Sequence, residues 1–340
     1  MEALLRARDL KTYFFTRRGT GKAVDGVSFD LAGGETLGVV GESGSGKSVM
    51  GLSLVGLHPR PAAQIVGGSV LFDGENLVES SSTRLQAIRG SEIAMVFQDP
   101  GSALNPVLTI GDQITEPLRI HRRASRSSLR DQAEDLLRLL RVPEPRQRLK
   151  SYPHQLSGGM QQRAVSAVAL SCGPRVLVAD EPTTALDVTV QAAYLELLRE
   201  IQQRQSLSVL FITHDFGVVA KICDRVLVMY AGQVVESAGT PLLYRSPAHP
   251  YTAALMSSVP NVRSTSTRLA SIEGQPPSIY ELPEGCRFRP RCWLYERLGR
   301  PVRCRDEMPS LMPAPNGALA RCHYSAESLA SAPSGGPMWP

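Results

Sequence analysis

The sequence predicts an α/β protein with an inserted helical subdomain and a small cysteine-containing C-terminal extension. Three observations predict it. From Arg6 to about Thr240, short runs rich in Val, Ile and Leu alternate with helical stretches, the pattern of a mostly parallel sheet wound by crossovers. Between Gly101 and Lys150 the strand signals disappear. After Thr240, Pro241, Pro247, Pro250, Pro260, Pro276, Pro277 and Pro283 punctuate the chain.

In chain order, residues 36–41, 93–98, 176–180, 209–213 and 225–230 read as strands, because each is a short apolar run bounded by polar turns. Residues 47–57, 160–171, 188–203 and 216–222 read as the helices between them. Within the insert, 110–121 and 129–141 are helix-like, the latter with leucines at helical spacing and charges between. Regular helices are not expected among the closely spaced prolines of the tail. The division that follows is a main body over 1–245, a helical subdomain over about 101–172 and an extension over 246–340.

Composition narrows the function. With 42% apolar and 20% charged residues, the chain is neither disordered, collagenous nor fibrous. No apolar run reaches the ~18 residues of a membrane span. Residues 1–10 carry charges and lack the apolar core of a secretory leader, so a cytosolic protein is expected. Net charge is +5, with no basic stripe interleaved with aromatics, so no nucleic-acid partner is expected. Of six cysteines, Cys172 and Cys223 sit alone in apolar surroundings and read as buried structural thiols.

The chemistry begins at Gly41-Glu42-Ser43-Gly44-Ser45-Gly46-Lys47-Ser48, which fits G-x-x-x-x-G-K-[ST] after a strand and before a helix. The glycines let backbone N–H groups curl around an anion, and the helix adds its positive end. Lys47 is expected to reach the β- and γ-phosphates, and the Ser48 hydroxyl to bind Mg²⁺. Val176-Leu177-Val178-Ala179-Asp180-Glu181 delivers two adjacent carboxylates to a strand end, where ligands of open α/β sheets bind. Asp180 is expected to orient Mg²⁺, and Glu181 to act as general base toward water.

Leu156-Ser157-Gly158-Gly159-Met160-Gln161-Gln162-Arg163 resembles the signature of ATP-binding cassette (ABC) proteins and lies between the two preceding motifs, as that family requires. A serine and two glycines at a helix start also present N–H donors and a positive dipole end. The resemblance implies that Ser157, Gly158, Gly159 and Gln161 complete the ATP site of a second cassette. Met160 stands where that family commonly has glutamine. Gln98 resembles the glutamine that touches Mg²⁺ and the attacking water. Thr184-Ala185-Leu186-Asp187 resembles the loop that crosses the dimer interface, and His214 the histidine on the γ-phosphate. Phe14 aligns best with the adenine-stacking ring, with Tyr13 and Phe15 as runners-up; such stacking is worth roughly 1–3 kcal/mol.

Narrower likeness comes from Glu42 and Ser43 in the phosphate loop, from Phe97-Gln98-Asp99-Pro100 with Ala103-Leu104-Asn105-Pro106, and from His249-Pro250-Tyr251-Thr252 opening the cysteine-bearing tail. Together they resemble the ATPase subunit of dipeptide/oligopeptide (or nickel-type) importers. The resemblance implies ATP hydrolysis that energises peptide import, with nickel, glutathione or another solute as alternatives and a non-transport ABC ATPase as a remote one. It implies two permease subunits, met by residues 98–150, and a second ATPase subunit, either a paralogue or a second copy. It also implies an extracytoplasmic solute-binding protein acting through the permeases, and a peripheral place on the cytoplasmic face of the inner membrane.

Cys286, Cys292, Cys304 and Cys322 run C-x5-C-x11-C-x17-C. In a reducing compartment such a cluster suggests a metal site more than disulfides. The close pairs usual for structural zinc are absent. The importer resemblance implies a [4Fe–4S] cluster, with zinc or unligated thiols as alternatives. Every residue expected to meet ATP precedes Thr240, so nucleotide binding is expected to be indifferent to the tail.

Overall fold

A computed structural model describes residues 3–122, 126–184, 186–258 and 272–331. The described residues form two compact units, one drawn from the spans 1–4, 31–36 and 75–212, the other from 5–30, 37–74 and 213–340.

In the first unit Ile93–Val96, Val176–Asp180 and Ser208–Thr213 lie side by side in that order, all parallel. Val176–Asp180 and Ser208–Thr213 are buried along their whole length, which is why they read as unbroken apolar runs. The helices Ile110–Arg122, Arg126–Leu139 and Gly158–Leu170 pack on one another. Leu118, Leu129 and Cys172 form a buried cluster among them, and the Arg122 guanidinium donates to the Cys172 carbonyl at 2.7 Å. Helix Val188–Gln205 meets Gly158–Leu170 through a buried hydrogen bond of 2.9 Å between Tyr194 and Ser166 hydroxyls.

In the second unit the strand order is Met312–Pro313, Leu319–Ala320, Gln233–Gly239, Arg225–Tyr230 and Thr36–Val40. The first three pairings are antiparallel and the last is parallel. A separate sheet sets Ala3–Thr16 between Gly19–Ala32 and Ala63–Phe72. The motif-bearing strands fall where the sequence places them. The antiparallel sheet does not announce itself, because its first hairpin turns on Arg17-Arg18, without the Asn, Asp or Gly that marks such turns.

The proline-rich tail forms helices after all, contrary to expectation. Pro241 and Pro250 sit in the first turns of Thr240–Arg245 and Pro250–Ser257, where the missing N–H costs nothing and the fixed φ suits the helix. His249 caps the second, its Nδ1 accepting from the Tyr251 N–H at 3.0 Å.

Candidate functional site

The buried strand Thr36–Val40 ends at Gly41, and the chain turns back into helix Lys47–Leu54. Gly41 and Gly46 have φ of 154° and 101°. A Cβ on Gly41 would strike the Met229 carbonyl oxygen, and one on Gly46 that of Ala23, so side chains are excluded at both corners. Ser43 and Gly44 are exposed, and Ser48 is half-buried. The Lys47 ammonium is buried and donates to the carbonyls of Gly41 and Glu42 at 2.8 and 3.0 Å. Ser45 is buried, with no hydrogen-bond partner for its Oγ. A loop that admits no Cβ at either corner, with a buried hydroxyl in it and a lysine at a helix N-terminus, suits a polyphosphate.

In the other unit, Asp180 closes the strand Val176–Asp180 and is buried. Glu181 follows with φ 47°, a left-handed backbone that costs a non-glycine residue about 1–3 kcal/mol. Its N–H donates to the Ile212 carbonyl at 2.9 Å. Its Oε2 accepts from the Gln98 amide and the Thr184 hydroxyl, each at 3.0 Å. Two residues 83 apart in sequence are thus brought together. The sequence places Thr184 in the loop of residues 184–187 but gives no sign of its bond to Glu181.

Ser157 is the N-cap of helix Gly158–Leu170, with no side-chain cap bond. Ser157 and Gly158 are exposed, while Gly159 faces Val190 so closely that a Cβ would collide with it. The Gln161 amide folds back to the carbonyls of Pro153 and Leu156 at 2.8 and 3.3 Å. Asp187 caps helix Val188–Gln205, accepting from Thr189 and Val190 N–H at 3.0 Å. Ala185 lies outside the described residues. His214 is exposed beyond the strand Ser208–Thr213.

The three aromatics near the N-terminus separate by face. Tyr13 donates to Asp25 at 2.6 Å, and the Lys22 ammonium lies 5.8 Å from its ring centre. Burial, then the Asp25 carboxylate, pushes the Tyr13 hydroxyl up to about 12. Phe15 is exposed. Phe14 is half-buried and shares its strand face with Thr12, whose hydroxyl is 2.8 Å from Ser53 of helix Lys47–Leu54.

Sequence reasoning did not connect Tyr251 and Arg291 to the phosphate loop. The Glu42 N–H donates to the Tyr251 hydroxyl at 2.9 Å. Its carboxylate receives both ends of the Arg291 guanidinium, at 2.6 and 3.0 Å. These partners are 209 and 249 residues away, so no local pattern could have found them. They join the extension to the phosphate loop, a contact the sequence does not show.

Cys286, Cys292, Cys304 and Cys322 line one cavity of about 20 Å³ with His249, Phe288 and neighbours, room for a single water-sized group. The Cys286 N–H donates to the Cys304 carbonyl at 2.9 Å. Burial raises all four thiols, Cys292 to about 12 and Cys304 to about 11, and neighbouring sulfurs push the last three further. Thiolates in this cavity therefore call for a cation. Among the described residues, no group of three or more His, Cys, Asp or Glu is disposed to hold a metal ion. The expected [4Fe–4S] cluster and its zinc alternative thus find convergent sulfurs but no formed site. Cys172 and Cys223 are buried thiols, as expected.

A glycine-cornered loop between strand and helix, with a buried lysine, defines a P-loop nucleotide-binding protein. The ABC transporter family matches residues 24–184, and the family described as oligopeptide/dipeptide transporter, C-terminal region, matches 235–297. The chain is 48% identical to a probable peptide ABC transporter ATP-binding protein of Sinorhizobium fredii, over 96% of both chains. It is 46% identical to the oligopeptide transport ATP-binding protein AppD of Bacillus subtilis, over 96% of this chain and 98% of the relative. It is 43% identical to the dipeptide transport ATP-binding protein DppD of Escherichia coli, over 95% and 97%. Among solved structures, the dimeric ATP-binding cassette MJ0796 in a post-hydrolysis state with ADP and Pi is similar at TM-score 0.63 and 27% identity, over 69% of this chain and 98% of that one. The chain belongs to the ABC transporter ATP-binding proteins, in the oligopeptide/dipeptide transport group.

Proposed function

We propose that this chain binds and hydrolyses ATP to energise the import of di- or oligopeptides. One observation carries the reading: an intact Gly41–Ser48 phosphate cradle in a chain that matches peptide-transport ATP-binding proteins over nearly its whole length. Lys47 and the loop N–H groups hold the phosphates, and Ser48 and Asp180 serve Mg²⁺. Glu181, oriented by Gln98 and Thr184, takes the proton of the water that attacks the γ-phosphorus. Phe14 is the base-stacking ring, and His214 contacts the γ-phosphate. Ser157, Gly158 and Gly159 serve the nucleotide of a second cassette, and Asp187 lies on that interface. The exposed N-terminus of helix Gly158–Leu170, with no side-chain cap of its own, supports this assignment.

The partners are two permeases, met by residues 98–150, and a second ATPase subunit. A solute-binding protein acts through the permeases. No helix among the described residues is long and apolar enough to cross a membrane; the proposed place on the inner membrane is peripheral, on the permeases. Coexpression with the permeases and assay of peptide-stimulated ATP hydrolysis tests the reading; a complex that turns over ATP at the same rate with Glu181→Gln in every site would sink it.

The four cysteines support a [4Fe–4S] cluster as the finer reading of the tail, because four soft ligands face one cavity. Anaerobic purification and iron and sulfide analysis decide: about four of each per chain supports the cluster, and stoichiometric zinc or no metal excludes it.

A further inference from the structure

Glu42 is gripped at three points. Its carbonyl accepts from the Lys47 ammonium at 3.0 Å, its N–H donates to the Tyr251 hydroxyl at 2.9 Å, and its carboxylate pairs end-on with Arg291. Arg291 is 5% exposed in its side chain. Its Nε donates to the Glu273 carbonyl at 3.0 Å, and its guanidinium carbon lies 5.8 Å from the Tyr230 ring centre. Tyr230 and Tyr251 pack on each other at 4.7 Å, and each meets Phe288 at 5.3 Å. Phe288 in turn lines the cysteine cavity, and Arg291 is bonded directly to Cys292. One packed path therefore runs from the cavity to the phosphate loop.

We propose that Arg291 is a positioning residue of the nucleotide site, holding Glu42 so that the phosphate loop keeps its binding shape and so that the C-terminal extension sets the affinity for ATP. The proposal rests on the reading of Gly41–Ser48 as the phosphate loop. Its physical content is direct. The Lys47 ammonium is held in part by the carbonyl of the residue that Arg291 fixes, so a loop released at Glu42 must be reordered each time nucleotide binds. That ordering lowers affinity without altering the reacting groups. The fork geometry matters, because a lysine keeps the charge but cannot make both bonds.

The test uses the full chain, titrated with a fluorescent ATP analogue, and hydrogen exchange over residues 41–48 and 225–230. Arg291→Ala should weaken nucleotide binding roughly tenfold, about what one charge-assisted contact is worth, and speed exchange in 41–48 while leaving 225–230 protected. Arg291→Lys should recover part of the affinity. The pair Glu42→Gln with Arg291→Ala should lose little more than Arg291→Ala alone. In the assembled transporter the KM for ATP should rise with kcat unchanged within about twofold. Wild-type affinity and exchange in Arg291→Ala and Arg291→Lys, beside a Lys47→Ala control that loses affinity, would overturn the proposal. So would exchange that rises equally in 225–230, since that marks a general structural clamp. If Lys47→Ala also keeps full affinity, it is the phosphate-loop reading that fails, and the proposal with it.

Discussion

The Gln98 amide donates to the Glu181 carboxylate at 3.0 Å, on the same oxygen that takes the Thr184 hydroxyl. Three loops thus agree on where that carboxylate stands. The left-handed backbone of Glu181 aims it there, and two donors keep it from turning. Glu181→Gln retains the shape and removes the basicity. It should keep ATP binding and lower hydrolysis at least a hundredfold, the scale of a lost general base. Single-turnover hydrolysis in the assembled complex with both ATPase subunits altered checks this.

Removing Gln98 leaves Glu181 its charge but takes away one of the two donors. Gln98→Ala should lower kcat by roughly tenfold, the worth of one positioning hydrogen bond, and leave nucleotide affinity within about threefold. An unchanged kcat would show that the Gln98 bond is not needed to orient the carboxylate.

Lys47 is the cation within the cradle, and its ammonium satisfies two loop carbonyls. Lys47→Ala removes both the charge for the phosphates and these two bonds. Affinity for ATP should fall more than tenfold, with thermal stability little changed once nucleotide is absent. Calorimetric titration of the isolated chain measures the first, and a melt without nucleotide the second.

Much of this was legible from the chain. The phosphate loop and the acidic strand end are local words, each spelt within eight residues beside an apolar run, so spacing and strand character located both. Asp187 shows the limit: its helix cap is visible as local chemistry, but its expected place at an interface is not. The Arg291–Glu42 and Arg287–Asp25 pairs were not legible, because 249 and 262 residues separate their members and nothing in a lone arginine names its carboxylate. The antiparallel sheet is hard to read in the sequence because its strands of 14, 14 and 10 residues mix polar and apolar residues without strict alternation.

Glu236 and His249 are both buried and titrate in opposed directions. The Glu236 carboxylate accepts from the N–H groups of Ala248 and His249 at 2.7 and 2.9 Å. Burial still pushes it up to about 7, and burial drives the His249 imidazole down to about 3. The folded chain therefore keeps a proton on Glu236 between about 4.5 and 7, where the unfolded chain has lost it, so stability falls as pH rises through that window. His249 stays neutral when folded but gains a proton below about 6.5 when unfolded, so its share rises with pH from about 3 to 6.5. The two slopes oppose each other between about 4.5 and 6.5. Glu236→Gln leaves the His249 slope unopposed. Across that window its stability should climb relative to wild type by roughly 1.4 kcal/mol per pH unit, read from urea unfolding at pH 4.5, 5.5 and 6.5. Parallel curves would assign Glu236 an ordinary carboxylate titration.

Arg287 adjoins Cys286 and anchors the extension by a different route. Its side chain is 6% exposed, pairs with Asp25 and donates to the Ala231 carbonyl at 2.6 Å, while Tyr13 donates to the other Asp25 oxygen at 2.6 Å. Breaking one side of such a pair strands a buried charge. Arg287→Ala should therefore cost about 3–5 kcal/mol, whereas Asp25→Asn with Arg287→Met, which removes both charges, should cost less than Arg287→Ala alone. The pH sign follows from Asp25. Burial pushes its carboxyl up, but the Tyr13 and Arg287 hydrogen bonds outweigh it and hold the carboxyl below its ordinary range. Its contribution is then fully present above about pH 4 and is lost as pH falls through the lowered value. Acid unfolding of wild type and of the double variant, followed by tyrosine fluorescence, should show that the double variant loses less stability between pH 5 and 3. Equal losses would mean that Asp25 contributes nothing through its charge and that Arg287 acts by packing alone.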